Sequence, residues 1–296
     1  MKLRELGEDG MLEKLLPALR LRRDVIVGAG DDCAVLRGDT ADKVFLLKTD
    51  CVVERVHFTT ETRPSAIGWK AMARPLSDFA AMSGVPQWAL VTIVTRSDTT
   101  LRWMSGLYAG LEKAAHAFDV SIVGGETSTT DGATMISVSL FGWAETNRWV
   151  ARSGAKPGDE LFVTGRLGGS LGGHHLRFTP RITESRWLTA KFDIHAMMDL
   201  SDGIGADLPR LARASGADFE LEQSALPRNS GCNIAEAITD GEDYELLFAV
   251  AEDAAAPLQR SWRRKFPKLP LTRIGRLTPK TRPTRTKLPR GYVHFQ

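Results

Sequence analysis

Cysteine is scarce and unpaired in this sequence: Cys33, Cys51 and Cys232 are the only three among 296 residues, and no two stand in a CxxC spacing. An odd, scattered set excludes a disulfide framework and argues against a zinc site. Long apolar runs are missing too. The best of them, WALVTIV, has strand length, far short of the ~20 residues a membrane-spanning helix needs. The opening MKLRELGEDG is charged, with no apolar block behind it, which predicts no secretory leader and makes the cytoplasm the expected location. There is no GxxxxGK[ST] loop, so a P-loop kinase in its usual form is excluded. HRD and DFG segments are likewise absent. The glycines of GAGDDC do not make GxGxxG, and a Rossmann dinucleotide site gains little support. No short-period repeat or low-complexity tract appears.

What is present is a chain able to bury a proper core, 43% hydrophobic and 25% charged. Its net charge of +3 is gathered mainly in RRKFPKLPLTRIGRLTPKTRPTRTKLPR. Prolines break that stretch and few aromatics interleave it, so it reads as a solvated surface rather than a nucleic-acid patch. Apolar periodicity predicts a helix over MLEKLLPALRL and strands at DVIVG and KVFLLKTD. A helix follows from Pro64 to Gly84, which Pro75 should bend or break. Strand, helix and two strands come next, at WALVTIVT, LRWMSGLYAGLEKAAHAFD, VSIVGG and ATMISVSLFGWAE. The turn-rich NRWVARSGAKPGDE then places a domain boundary near residue 147, giving domains 1–147 and 148–296. Strands ELFVTG, YELLFAV and TRIGRL alternate with helices beyond it, so both halves are α/β or α+β.

Acidic residues recur at the ends of these apolar runs: Asp31 and Asp32 before CAVL, Asp50 closing VFLLKTD, Asp78 in PLSDFAAMSG, and Glu126 closing SIVGGET. Asp199 and Asp202 frame AMMDLSDG, and Glu242 and Asp243 follow Gly241. Each alone is ordinary turn or capping chemistry. Brought together, two like charges about 4 Å apart cost on the order of 4 kcal/mol at an effective dielectric near 20, so a cluster must protonate or bind cations. An all-oxygen set favours a hard ion such as Mg²⁺. Magnesium among carboxylates is most useful where phosphate is the substrate.

The segments GAGDDCAVL, LLKTDCVVERVHF, GWKAMARPLSDFAAMSGVP, IVGGETS, ARSGAKPGDELFVTG, MMDLSDGIGADLPRLARASG, AITDGEDYELLF and GYVHF stand in the order found in thiamine-monophosphate kinases, and the chain resembles that family from about residue 25 to 295. The family lies in the superfamily of aminoimidazole ribonucleotide synthetase. The resemblance implies a two-domain fold, with N-terminal sheets pairing across a homodimer and a C-terminal α/β domain. It also implies ATP-dependent phosphorylation of thiamine monophosphate to thiamine diphosphate, assisted by several Mg²⁺ ions. Carried over by position, Asp32, Thr49, Asp50, Asp78, Glu126, Asp199 and Asp202 resemble the magnesium ligands. Gly125, Glu126, Arg152 and Ser201 resemble the ATP contacts, and His57, Glu242 and Tyr292 the thiamine phosphate pocket.

Two positions depart from the family pattern, Glu126 where Asp is common and Pro75 where Asn is common. Trimmed structure is expected between HHLRFTPRITESRW and FDIHA. The alternatives are another ATP-using enzyme of the superfamily, or a non-catalytic nucleotide or metal sensor on the same scaffold. No reactive cysteine precedes Cys33, no cysteine ends the chain, and no DGVGTK segment replaces TDCVVERVHF; these absences favour the thiamine kinase.

Overall fold

The computed structural model describes residues 2–280, 288, 289 and 291. The first helical segment, α1 (Leu3–Leu15), is kinked at Gly7, whose φ of 66° is non-helical, and gives way to a 3-10 turn at Leu16–Ala18. Pro17 lies in that turn; its missing N–H removes one hydrogen bond of the α-helical ladder there. There follow β1 (Val25–Val27), β2 (Ala34–Arg37), β3 (Lys43–Val53), α2 (Pro64–Ala81), β4 (Val85–Thr95), α3 (Leu101–Ala117), β5 (Ser121–Thr129) and β6 (Met135–Glu145). These strands form one six-stranded sheet in the order β1-β2-β3-β6-β4-β5, in which only the β4–β5 pairing is parallel.

Alternation fixes which face of this sheet is covered. Val44, Leu46 and Val52 of β3, Val91 and Ile93 of β4, and Ile136, Val138 and Leu140 of β6 are buried in one core with Met72, Leu76 and Phe79 of α2 and Leu107 and Leu111 of α3. The intervening residues look the other way. Leu47, Trp88, Leu90 and Val123 are exposed there, Leu90 by 50%, and with Phe141 they line a shallow hollow of about 620 Å³. α2 and α3 meet backbone to backbone: a Cβ on Gly68 would strike the Leu107 carbonyl, and one on Gly110 the Ser65 carbonyl. Pro75 neither breaks nor ends α2, which runs unbroken through it. Its ring is buried, and packing outweighs the one hydrogen bond a proline removes.

The second half holds β7 (Glu160–Thr164), α4 (Ile182–Lys191), β8 (Ala196–Asp199), α5 (Ile204–Ala214), β9 (Asp218–Leu221), α6 (Ile234–Thr239), β10 (Leu246–Val250), α7 (Glu252–Lys265) and β11 (Leu271–Thr278). Its antiparallel sheet has the order β8-β10-β7-β11-β9. Every residue of β7, β8 and β10 is buried because helices cover both faces. Leu161, Val163, Leu247 and Ala249 pack with Leu208 and Leu211 of α5, whereas Phe162, Phe248 and Val250 pack with Leu188 of α4 and with Leu258 and Trp262 of α7. Between His174 and Ala196 the chain is not bare loop: a 3-10 turn and α4 occupy it.

Candidate active site

One face of α2 is charged although it is buried. Lys70, Arg74, Ser77 and Asp78 recur at helical spacing, and each meets a partner from another element. Lys70 Nζ, with 0% side-chain exposure, donates to the His57 carbonyl at 2.8 Å and to Glu242 Oε2 at 2.7 Å. Arg74 Nε lies 3.9 Å from Asp50 Oδ2 on β3. Ser77 Oγ donates to Asp199 Oδ2, at the end of β8, at 2.6 Å. Asp78 Oδ1 receives Lys48 Nζ of β3 at 2.8 Å. The helix thus ties the open end of the first sheet to the loops after β8 and before β10.

Where these elements converge, Asp32, Asp78 and Asp199 each offer an oxygen, and these atoms lie within 4.8 Å of one another; all three residues are buried. Asp50 stands alongside, reached by the same ammonium at 4.0 Å. The electrostatics are those of charges crowded out of water. Burial, then the Asp32 carboxylate, pushes Asp199 up to about 7. Burial raises Asp78 well above the carboxylate range despite Lys48, with Asp50, Asp199 and Asp32 adding to the rise. Burial would raise Asp50 too, but Lys48 and Arg74 outweigh it and hold it low. Desolvation works against the Lys48 charge, yet Asp78 and Asp50 carry its basicity above the ordinary lysine value.

The adjacent pair Asp31 and Asp32 is resolved differently from a shared metal. Asp31 accepts the backbone N–H groups of Asp32 at 2.9 Å and of Arg152 at 3.1 Å, and burial followed by Asp32 lifts it to about 6. Only Asp32 turns into the cluster, where its Oδ1 receives Arg152 Nη2 at 2.5 Å. Its Oδ2 is buried and has no hydrogen-bond partner among the described residues. An orphaned carboxylate oxygen in an all-oxygen donor set is what a hard divalent cation would satisfy, so these residues fit magnesium.

Beside the cluster lies a cavity of about 120 Å³ lined by His57, Arg74, Ser201, Asp202, Glu242 and Tyr244, among others. Glu242 and Tyr244 both hold positive φ, 52° and 51°, which turns the chain sharply and sets the two side chains 3.4 Å apart, hydroxyl to carboxylate. Tyr244 in turn stacks on Phe178 at a ring separation of 3.8 Å. Asp202 is paired with Arg210, which also holds Asp207 at 3.0 Å.

The structure therefore gathers Asp32, Asp50, Asp78, Asp199 and Arg152, and sets His57, Ser201, Asp202 and Glu242 around the adjoining cavity. It does not bring Thr49 and Glu126 to the buried cluster. Thr49 alternates with Asp50 and points to the open face, where its Oγ1 meets Ser137 and Ser139. Glu126 is exposed on β5, paired in register with Thr92, again on that face. Gly125 beside it has no room for a side chain, since a Cβ would run into the Val91 carbonyl. Tyr292 lies outside the described residues, although Gly291 before it packs on the Asp202 carbonyl. Lys48, Lys70, Arg74, Ser77 and Tyr244 were not singled out from the sequence. For Lys70, Arg74 and Ser77 the spacing of polar residues along α2 was the available signal.

Two family models match the chain: AIR synthase related protein, N-terminal domain, over residues 30–144, and AIR synthase related protein, C-terminal domain, over residues 156–287. The thiamine-monophosphate kinase of Rhodopirellula baltica is 37% identical, the match covering 97% of this chain and 97% of the relative. That of Aquifex aeolicus is 34% identical, covering 94% and 93%. A solved structure of AaThiL complexed with AMPPCP and TMP superposes with a TM-score of 0.84 at 33% identity, covering 99% of both chains. With both halves matched by the family models and the full-length likeness to these kinases on the same fold, the chain belongs to the AIR synthase related family and, within it, to the thiamine-monophosphate kinases.

Proposed function

We infer that the chain passes the γ-phosphoryl group of ATP directly to thiamine monophosphate, giving ADP and thiamine diphosphate, in the space between the buried carboxylates and the His57–Glu242 cavity. The observation that carries this reading is the convergence of Asp32, Asp78 and Asp199, with an unpartnered Asp32 oxygen, beside that cavity. A phosphate oxygen of the substrate attacks the γ-phosphorus in line; one P–O bond forms and the bond to the ADP oxygen breaks. Phosphate monoesters lose their second proton near pH 6, so no strong base is needed. The residues align the partners and offset their charge.

Asp32, Asp50, Asp78 and Asp199 would hold magnesium, with Asp202 at the cavity side. Bound there, the ion supplies positive charge to the phosphate oxygens. Arg152 presents a planar fork suited to a phosphate once substrate competes for it with Asp32. Gly125 and Ser201 are proposed to lie along the nucleotide, and Glu242, held by Lys70, to face the cationic thiamine ring with His57. We place the domain boundary at 147/148 and the enzyme in the cytoplasm; no described helix is long and apolar enough to cross a membrane. The open apolar face of the first sheet supports a homodimer, and a partner there would cover Thr49 and Glu126.

The test is a coupled assay with Mg²⁺ and ATP, comparing thiamine monophosphate with free thiamine and formylglycinamidine ribonucleotide. ADP and thiamine diphosphate should form with the first alone. Turnover with either of the others instead would overturn the assignment. Asp50→Asn and Asp202→Asn should each abolish turnover while leaving the circular dichroism spectrum unchanged.

A further inference from the structure

Lys48 is an unusual tenant for a carboxylate centre. It belongs to β3, and alternation aims it, like Asp50, at the helix-covered face of the sheet. There its ammonium touches Asp78 at 2.8 Å and stands 4.0 Å from Asp50, with only 21% of its side chain exposed. Asp78 is also one of the three residues whose oxygens converge. The cation is therefore inside the cluster and not on its rim. The other end of the cluster is different: the Arg152 guanidinium takes only one Asp32 oxygen, Oδ1 at 2.5 Å, while Asp32 Oδ2 is buried with no hydrogen-bond partner among the described residues, and Asp199 accepts the neutral Ser77 hydroxyl at 2.6 Å.

We propose that Lys48 is a built-in cation of the phosphoryl-transfer centre, its ammonium taking the Asp50–Asp78 side in place of one divalent ion and leaving the Asp32–Asp199 side for exchangeable metal. The inference rests on the carboxylates being the metal site. An ammonium has three donors and a fixed single charge, so it bridges carboxylates as a hard cation would. It cannot gather further oxygens at short range as a divalent ion does. Lys48 thus acts as a positioning residue, setting how many metal ions the centre takes.

The number of divalent ions bound per chain reads this out, counted by electron paramagnetic resonance of free Mn²⁺ in the presence of AMPPCP. Lys48→Met and Lys48→Gln should each bind one more Mn²⁺ than the parent, and their melting temperatures should rise more steeply with added Mn²⁺. Gln keeps a hydrogen-bond donor for Asp78, so it covers the case in which Met does not fold. Lys48→Arg keeps the charge and should keep the parental number. Equal numbers in parent and neutral variants, or an extra ion in Lys48→Arg, would overturn the proposal while leaving the metal site standing. Binding by the parent that is unchanged in Asp32→Asn and Asp199→Asn would overturn the carboxylate site itself, and the role of Lys48 with it.

Discussion

Lys70 illustrates how a single buried charge is made useful. Its ammonium has no contact with water and is held by the His57 carbonyl and Glu242, so two cavity residues are fixed through one side chain. Burial depresses its basicity from the ordinary 10.5 to about 8, Glu242 opposing the shift. Between those two values the unfolded chain binds the extra proton and the folded chain does not. Stability linked to Lys70 is therefore lowest below pH 8 and rises with pH across that window. Lys70→Met should remove this rise, measured by urea unfolding at pH 7, 8, 9 and 10. The same substitution strands Glu242, which is 18% exposed and so partly relieved by water. A loss of about 2 kcal/mol at pH 7 is expected, below the range for a fully buried broken pair. Because Glu242 would then lose its fixed position, the Michaelis constant for thiamine monophosphate should rise about tenfold, close to 1.4 kcal/mol, with that for ATP little changed. Equal effects on both substrates would place Lys70 in the fold alone.

At the scale of elements, α2 is the part on which the site depends, and its seat is the glycine contact with α3. Gly110→Ala pushes a methyl into the Ser65 carbonyl, and since backbone cannot rotate aside as a side chain can, α2 must shift. Overpacking of this kind costs about 1–3 kcal/mol. The shift also moves Ser77 and Asp78 away from Asp199 and Lys48, so turnover should fall by more than stability predicts; thermal melts and kcat measured on one preparation check this. The sequence disclosed the acidic positions, because Asp32 precedes an apolar run, Asp50 and Asp199 close one and Asp78 sits within an apolar helix, and it disclosed the alternation of strands and helices. The partners of those acids were hidden for physical reasons. Lys70 and Arg74 look like solvated residues on a helix surface until a second sheet is laid over them. Lys48 reads as one polar residue in an apolar strand. Thr49 and Glu126 stand at positions the family resemblance marks, but the two-residue period of a strand turns their side chains to the open face of the sheet, which a motif match does not register. β8 is only four residues long, and its neighbour FDIHA suggested trimmed structure. α6 is six residues and owes its start to the Asn233–Glu236 capping box, a local signal easily passed over.

For the whole molecule the open question is what covers the free face of the first sheet. The second sheet is clothed on both sides, while the first exposes Leu47, Trp88, Leu90 and Val123 around a hollow of about 620 Å³. Contiguous apolar surface of this kind marks an interface. Trp88 stacks on Phe141 at 5.6 Å, so the face is already ordered, and a second copy could dock without first paying to fix its aromatic side chains. A two-fold pairing would use the same strip twice and set one copy's Thr49 and Glu126 near the other's, restoring a closed environment to groups that alternation turned outward. Leu90→Lys tests this. Leu90 is half exposed in the isolated chain, so a lysine there is readily solvated and should leave the fold and its melting temperature at low protein concentration almost unchanged. In a dimer the same lysine is buried twice across the axis, unpaired and facing its own copy. Sedimentation should then show the parent as a dimer and Leu90→Lys as a monomer, with phosphoryl transfer reduced in proportion to the dimer lost. A parent that sediments as a monomer at micromolar concentration, with full activity, would leave the face without this role.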